Sequence, residues 1–128
     1  MSDVVLDASA VLAMLRDEPG GDVVAGYIGR ATISAVNLQE VAKEMVREGA
    51  DIERIQPILD ELGFDVRSHD ADAAYAAAAL YEPTRRYGRG LGDRTCMSLG
   101  VQLGVPVLTA DREWRNVEVK GLQLEYVR

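Results

Sequence analysis

Residues 4–15 read VVLDASAVLAML and place one ionisable side chain between two apolar runs. Residues 4–6 are typical of a buried strand and residues 8–15 of an apolar helix, so Asp7 stands where a strand passes into a helix. An unpaired carboxylate is costly to bury. We therefore expect Asp7 to have either a hydrogen-bonding partner or a chemical role.

The rest of the chain continues this alternation of short apolar runs with longer amphipathic ones. Predicted strands cover residues 4–6, 31–34, 64–68, 105–109 and 122–126. Predicted helices cover residues 8–16, 22–29, 36–47, 52–62, 71–82 and 93–103, with a short turn near 111–116. Strands that alternate with helices in this way are typical of parallel βαβ units, so we expect an α/β protein.

Composition narrows the class of protein. A chain of 128 residues is most simply one domain. The formal net charge of -7 argues against binding nucleic acid or a membrane through bulk charge, although a local basic patch is compatible with it. One cysteine, Cys96, permits neither an intrachain disulfide nor a thiolate metal cluster. Because residues 1–6 contain neither a basic segment nor a long apolar run, we expect a cytoplasmic protein without a membrane span.

Three aspartates stand where a predicted strand or loop enters a helix. Asp7 and Asp111 each follow a strand, and Asp93 follows the glycine-rich segment YEPTRRYGRGLG at residues 81–92. Each could simply cap a helix, which is the commoner role of a single such residue. In a parallel sheet, however, the carboxyl ends of the strands share one edge. Carboxylates gathered there repel one another, and a divalent cation with oxygen ligands would compensate that repulsion.

Four motifs resemble the PIN-domain family. They are LDASAVLAML at residues 6–15, ISAVNLQEVAKE at 33–44, LGDRTCMSLG at 91–100 and VLTADREW at 107–114. The chain looks most like the VapC-type toxins of that family, the endoribonuclease halves of type II toxin–antitoxin pairs. The resemblance implies a three-layer α/β/α sandwich around a mainly parallel sheet of about five strands. It also implies that residues 1–128 form a single PIN domain.

The resemblance assigns functional residues as well. It implies a metal-dependent hydrolysis of RNA with an acidic quartet of catalytic residues and Mg²⁺ or Mn²⁺ ligands, namely Asp7, Glu40, Asp93 and Asp111. Supporting positions fall on Ser9, Asn37 and Thr109. By helical periodicity alone Glu40 lies on the solvent side of its helix, so only the motif makes it a ligand. Glu44, one turn further along, is the fallback.

A basic loop precedes Asp93. Four arginines and a tyrosine are candidates for phosphate contact and base stacking: Arg85, Arg86, Tyr87, Arg89 and Arg94. Alternatively the loop is merely solvated, and Arg94 could pair with a catalytic carboxylate. The only histidine, His69, is expected in a surface turn.

The resemblance also implies partners. They are the RNA substrate, a cognate antitoxin and a second copy of the chain in a homodimer, with operator DNA bound only through the antitoxin. Residues 8–15 and 71–80 are candidate dimer contacts, although both could be core. Three alternatives stay open: a structure-specific or DNA-directed PIN nuclease, a non-catalytic PIN-like binding module and a receiver-like signalling domain. The last is disfavoured because the only lysines, Lys43 and Lys120, are poorly placed for it.

Overall fold

A five-stranded parallel sheet forms the centre of the molecule in the computed structural model, which describes residues 2–128. Its strands are β1 (Val4–Leu6), β2 (Ala31–Ser34), β3 (Asp65–Arg67), β4 (Val107–Thr109) and β5 (Leu124–Tyr126). They lie in the order β3-β2-β1-β4-β5, and each neighbouring pair is parallel. The helices are α1 (Ala8–Leu15), α2 (Gly21–Ala25), α3 (Ala35–Arg47), α4 (Ile52–Glu61), α5 (Ala71–Ala78) and α6 (Leu91–Leu103). A short 3₁₀ turn covers Arg112–Asn116.

Helices cover both faces of this sheet because the side chains of β1 alternate between two cores. Val4 and Leu6 pack with buried residues of α1 to α4 on one face. Val5 packs on the other face with Cys96 and Met97 of α6. The predicted three-layer α/β/α sandwich with a parallel sheet of about five strands is confirmed. Within residues 2–128 no helix combines the length and the apolar character needed to cross a bilayer.

Two element boundaries differ from the predictions in ways that matter below. Helix α5 ends at Ala78 rather than at residue 82, and a series of turns follows it. The residue before Pro83 is sterically disfavoured in a helix, which shortens α5. Helix α6 begins at Leu91, two residues earlier than predicted, so Asp93 is its third residue and not its cap.

The order of the strands creates one crevice at the carboxyl edge of the sheet. Strand β1 is central, and its neighbours are β2 on one side and β4 on the other. The connection from β1 leads to β2, and the connection from β4 leads to β5 on the opposite side. Open α/β sheets bind ligands in the crevice between two such connections. Asp7 stands at this point, directly after β1.

Candidate functional site

Asp7 is a buried carboxylate held by two hydroxyl groups. Ser9 Oγ donates a hydrogen bond of 2.6 Å and Thr109 Oγ1 one of 3.0 Å, both to Asp7 Oδ2. Asp7 occupies the N-cap position of α1, but its side chain accepts no capping hydrogen bond from that helix. Only 5% of the residue is exposed. The capping role that its position suggests is therefore not the one that its side chain performs.

The surroundings of Asp7 oppose its negative charge. The pKa of Asp7 is raised from 3.8 to about 6, because burial and the charges of Asp93 and Glu40 together outweigh the lowering effect of the Ser9 and Thr109 hydroxyls. At neutral pH the group is nevertheless mostly ionised. The protein thus keeps a negative charge at a buried position where desolvation and the neighbouring carboxylates disfavour it, a situation that is common at functional sites.

The same hydroxyls connect the ends of β1 and β4. Ser9 Oγ accepts a hydrogen bond of 2.9 Å from the Ala110 backbone N–H, and Thr109 Oγ1 accepts one of 3.0 Å from the Asp111 N–H. Asp111 then caps the 3₁₀ turn, since its Oδ1 accepts a hydrogen bond of 3.0 Å from the Glu113 N–H. This cap uses one carboxylate oxygen and fixes the side chain of Asp111 beyond the end of β4.

Glu40 reaches the site through α3. Ser34 Oγ caps this helix by accepting a hydrogen bond from the Val36 N–H. One turn along, the fully buried Asn37 donates from Nδ2 to Glu40 Oε1 at 2.8 Å and to the Gly92 carbonyl at 3.0 Å. Helical periodicity places Glu40 on the solvent side because it assumes that polar residues face solvent. This assumption fails in α3, since Asn37 is polar and fully buried.

Gly92 is a residue of the candidate site that the sequence argument did not identify. A Cβ atom built on it would lie 1.9 Å from Glu40 Oε1, so the carboxylate rests directly against the first turn of α6. Only a residue without a side chain allows this approach. The available signal was the glycine immediately before Asp93, but the sequence does not reveal that Glu40 faces it.

Asp93 joins the cluster from the first turn of α6. Its Oδ2 accepts a hydrogen bond of 3.1 Å from the Gly90 N–H, which is the one half of a capping box that a glycine at the N-cap position permits. Burial raises the pKa of Asp93, the Gly90 N–H lowers it, and the charges of Asp111 and Glu40 raise it again. The structure therefore brings the four predicted acidic residues into one electrostatic neighbourhood, although they come from four separate segments of the chain.

The donor set suits a hard divalent cation with a partly hydrated shell. Among residues 2–128, no three His, Cys, Asp or Glu side chains are close enough to enclose one ion. This excludes a closed cage of the structural zinc type within that part of the chain. Mg²⁺ usually keeps several waters and binds through one or two carboxylates, which the cluster can supply. Asn37 Oδ1 is a buried acceptor without a partner in the described chain, and a water molecule could donate to it.

The predicted RNA-binding residues separate into two groups. The side chains of Arg85, Arg86, Tyr87 and Arg89 are exposed in the segment before α6. Arg94 instead donates from Nε to Thr84 Oγ1 at 2.7 Å, and its guanidinium lies 5.4 Å from the centre of the Tyr81 ring. Arg94 thus fastens the loop to α6.

Glu44 and Cys96 do not resemble catalytic groups. Arg47 and Lys43 hydrogen-bond to Glu44 and lower its pKa to about 2, so its charge is already compensated. Glu44 is therefore a poor substitute for Glu40. Cys96 is completely buried, and this burial raises the pKa of its thiol well above the usual value. A thiol in that state is a small apolar residue and not a nucleophile.

Comparison with known proteins agrees with the fold and with the positions of the motifs. A family model described as "PIN domain" matches residues 4–120. The VapC ribonuclease Mb2780c of Mycobacterium bovis and ribonuclease VapC42 of Mycobacterium tuberculosis are each 30% identical to the chain over 130 residues, which cover 91% of this chain and 97% of the relative.

Solved structures show the same fold. DNA-bound VapBC from Salmonella typhimurium aligns with a TM-score of 0.74 at 18% identity, over 100% of both chains. VapBC2 from Rickettsia felis, bound to a DNA fragment from its promoter, aligns with a TM-score of 0.70 at 17% identity, over 96% of this chain and 97% of the other.

Proposed function

The chain belongs to the PIN-domain family, and from this membership we propose that it is a metal-dependent endoribonuclease and the toxin of a type II toxin–antitoxin pair. Residues 1–128 would then make up a single such domain. The observation that carries the proposal is the electrostatic coupling of four carboxylates: Asp93 and Glu40 raise the pKa of the buried Asp7, and Asp111 and Glu40 raise that of Asp93. Acidic side chains alone repel an RNA phosphate, so this arrangement is useful to a nuclease only together with cations.

Each residue of the cluster has a distinct task in the proposed reaction. Asp7, Asp93 and Asp111 would hold Mg²⁺ or Mn²⁺ directly or through water. When bound, such an ion lowers the pKa of a coordinated water and offsets the charge that develops on the phosphate. Glu40 is held at Oε1 by Asn37, which leaves Oε2 to orient and deprotonate the attacking water.

The hydroxyls of Ser9 and Thr109 keep the Asp7 carboxylate in one orientation, because both donate to the same oxygen. The other oxygen, Oδ1, is then the one left for a ligand. This division explains why the two supporting residues sit two positions after one acid and two positions before another. Loss of either hydroxyl would loosen Asp7 and also free the backbone of Ala110 or Asp111.

Cleavage of a single-stranded RNA in Mg²⁺ tests the proposal. Asp93→Asn removes one charge at nearly constant shape and is expected to abolish cleavage while the far-UV circular dichroism is unchanged. Asp60→Asn, which changes an exposed carboxylate on α4, is the matched control and should cleave like the unaltered chain. Cleavage that persists in EDTA, or in the Asp93→Asn variant, contradicts the mechanism. A DNA oligonucleotide of the same sequence distinguishes an RNase from a DNA-directed nuclease.

We propose that the exposed basic loop contacts the RNA backbone. Arg85 and Arg86 are solvent-exposed and precede the helix that carries Asp93. Replacing both with alanine should weaken RNA binding and reduce the slope of log Kd against log salt by roughly 0.7 for each lost phosphate contact with a single strand. Arg54→Ala, an exposed position on α4, is the control. An unchanged slope in the double variant would remove the loop from the RNA interface.

An antitoxin partner is proposed for the groove between α3 and α4. This groove, of about 320 Å³, is lined by apolar side chains that include Leu38, Ile55 and Leu59. Ile52 at its edge is 51% exposed, and apolar surface of this kind marks a protein-binding site. Ile52→Asp should weaken capture of the protein encoded beside this gene and leave RNA cleavage unchanged. Operator DNA would be contacted only through that antitoxin, and the pair would act in the cytoplasm.

A homodimer is proposed through α5. Helix α1 buries Ala8, Ala10, Val11 and Ala13 in the core, so residues 8–15 form little free surface. Helix α5, in contrast, presents Tyr75 with 78% of its surface exposed. Light scattering after size-exclusion chromatography should give twice the chain mass for the unaltered protein and the single mass for Tyr75→Arg. A monomeric mass for the unaltered protein would contradict this proposal.

A further inference from the structure

Two arginines that directly follow Asp111 have no role in the mechanism above. Arg112 and Arg115 lie in the 3₁₀ turn Arg112–Asn116, and both are exposed. The side-chain hydrogen bonds of this turn involve Asp111 and Asn116 instead. Within residues 2–128, neither guanidinium has a hydrogen-bonding or ion-pair partner. Most other arginines of this part of the chain do have one, namely Arg16, Arg30, Arg47, Arg67, Arg85, Arg94 and Arg128.

The geometry of the turn places both arginines on one face. A 3₁₀ helix has about three residues per turn, so side chains at positions i and i+3 lie one above the other. Arg112 and Arg115 have this spacing. Trp114, on a different face, is completely buried in the cluster that contains Met97 and Val117. The core therefore fixes the turn while both guanidinium groups stay in solvent.

An aromatic side chain belongs to the same surface. Tyr126 ends β5, is 36% exposed and is the register partner of Thr109, whose hydroxyl is part of the acidic site. Burial raises the pKa of Tyr126; among the neighbouring charges, Arg115 lowers it, Asp111 raises it and Arg112 lowers it. Charges act in this way on a phenol that is close to them. The arginines, the tyrosine and Asp111 thus form one group at the carboxyl ends of β4 and β5.

This group adjoins the basic loop as well as the acidic site. Asp111 is both the N-cap of the turn and a proposed metal ligand. At the other end of the turn, a Cβ built on the buried Gly88 would lie 3.5 Å from Val117 Cγ2. Loop and turn are therefore in contact. Exposed arginines continue from Arg86 and Arg89 of the loop to those of the turn.

The charges of this surface indicate an RNA backbone as its ligand. The chain carries a net charge of -7, so only local positive charge can hold a polyanion beside the acidic cluster. The planar fork of N–H donors in arginine matches a phosphate group. Exposed aromatic rings beside such a charge stack on the bases of a single strand. Glu113 and Glu125 are acidic neighbours in the sequence, but in the described chain neither forms an ion pair with these arginines.

We propose that Arg112 and Arg115 bind the RNA backbone beside the scissile phosphate, on the β5 side of the acidic site, and that a neighbouring base stacks on Tyr126. The inference rests on the proposed ribonuclease function and adds a second contact surface to that of the basic loop. The RNA strand then passes from the loop across the turn, next to Asp111. The arginines and the tyrosine contact substrate, and the acidic cluster performs the chemistry.

Fluorescence anisotropy with a labelled single-stranded RNA in EDTA tests the phosphate contacts. EDTA removes the cation that cleavage requires, so this measurement does not depend on ribonuclease activity. Arg112→Ala and Arg115→Ala should each weaken binding and reduce the slope of log Kd against log salt by roughly 0.7. Arg112→Lys and Arg115→Lys keep the charge and should retain most of the slope. Arg54→Ala, at an exposed arginine of α4 without an ion pair in residues 2–128, is the matched control and should leave the slope unchanged.

Two substitutions of Tyr126 test the stacking of a base. Tyr126→Phe keeps an aromatic ring and should bind RNA as the unaltered chain does. Tyr126→Leu lacks the ring and should bind at least about fivefold more weakly, the size of one lost stacking contact, without a change in the salt slope. Equal affinities of the two variants would overturn the stacking role.

Cleavage kinetics in Mg²⁺ separates contact with substrate from an indirect effect on Asp111. Loss of a contact that persists throughout the reaction should raise KM and leave kcat nearly constant. A lower kcat at unchanged KM in Arg112→Ala and Arg115→Ala would make these arginines supports of Asp111 and would overturn the proposal. It is also overturned if both alanine variants keep the original salt slope, or if Arg54→Ala reduces the slope equally. Absence of cleavage by the unaltered chain would refute the ribonuclease function, and the anisotropy would still decide whether this surface binds RNA.

Discussion

Replacing Asp7 with asparagine should make the protein more stable at neutral pH although it removes a proposed ligand. The carboxylate is buried and its pKa rises from 3.8 to about 6, first through burial and then through Asp93 and Glu40. At about 1.4 kcal/mol for each pH unit, this rise costs the folded protein about 3 kcal/mol once the group ionises. Asparagine carries no charge and can still accept the hydrogen bonds of Ser9 and Thr109. Its buried amide N–H groups recover less than this full amount, so we expect a gain of about 1–3 kcal/mol.

The pH dependence has a defined sign. The folded protein binds the Asp7 proton more tightly than the unfolded chain does, so protonation of Asp7 stabilises the folded state of the unaltered protein. This stabilisation is complete below pH 3.8 and is lost as the pH rises through about 6. The difference in unfolding free energy between Asp7→Asn and the unaltered chain should therefore be about 2–3 kcal/mol smaller at about pH 4 than above about pH 7, where it becomes constant. Urea unfolding in EDTA, followed by far-UV circular dichroism between these pH values, measures it.

A control and a metal titration complete the experiment. Asp60→Asn, at an exposed site, should change stability by less than about 0.5 kcal/mol at every pH. Millimolar Mg²⁺ should stabilise the unaltered chain more than Asp7→Asn, since an ion that binds only the folded state adds to its stability. The reasoning is refuted if Asp7→Asn is no more stable than the unaltered chain at pH 7.5 in EDTA, or if the difference does not vary with pH.

Two further substitutions test the contacts around α6. Gly92→Ala places a Cβ 1.9 Å from Glu40 Oε1 and should lower kcat/KM for RNA cleavage at least tenfold with nearly unchanged helicity. The control Gly26→Ala, at a glycine with negative φ where a Cβ would lie 3.3 Å from the Val23 carbonyl oxygen, should cleave normally. Equal activities would mean that the position of Glu40 is not critical. Arg94→Ala loses the hydrogen bond to Thr84 and should lower the unfolding free energy by about 1–2 kcal/mol. The salt dependence of RNA binding should change little. A salt slope reduced as much as in the double alanine variant of Arg85 and Arg86 would instead assign Arg94 to the RNA interface.

The periodicity of the sequence was sufficient for the α/β class because its signals are local, whereas the three-layer sandwich followed from the family resemblance. Apolar runs of strand length alternate with amphipathic helices, and this period alone indicates parallel βαβ units. Glycines and prolines mark many of the boundaries, and errors of a few residues remain where a neighbouring element decides the end. Helix α6, for example, begins at Leu91 because Asp93 Oδ2 accepts a hydrogen bond from the N–H of the N-cap residue Gly90, an interaction that the glycine-rich segment concealed.

The acidic site was predictable in part, for a different reason. Asp7, Asp93 and Asp111 each stand at a junction, and the rule that functional groups gather at the carboxyl edge of parallel strands connects them. Glu40 required the family motif, because helical periodicity treats every polar residue as solvent-facing. Asn37 reverses that assumption, since its amide is fully buried between Glu40 and the Gly92 carbonyl.

By itself, the sequence determined the α/β class, the order of the elements and three of the four candidate acidic residues, because these depend on patterns along the chain. Only the tertiary structure decided which side chains share an environment. It brings Glu40 against Gly92 and binds Arg94 to Thr84. These contacts join residues that are far apart in the chain. They form because the parallel strands and their connections bring such residues to the same edge of the sheet.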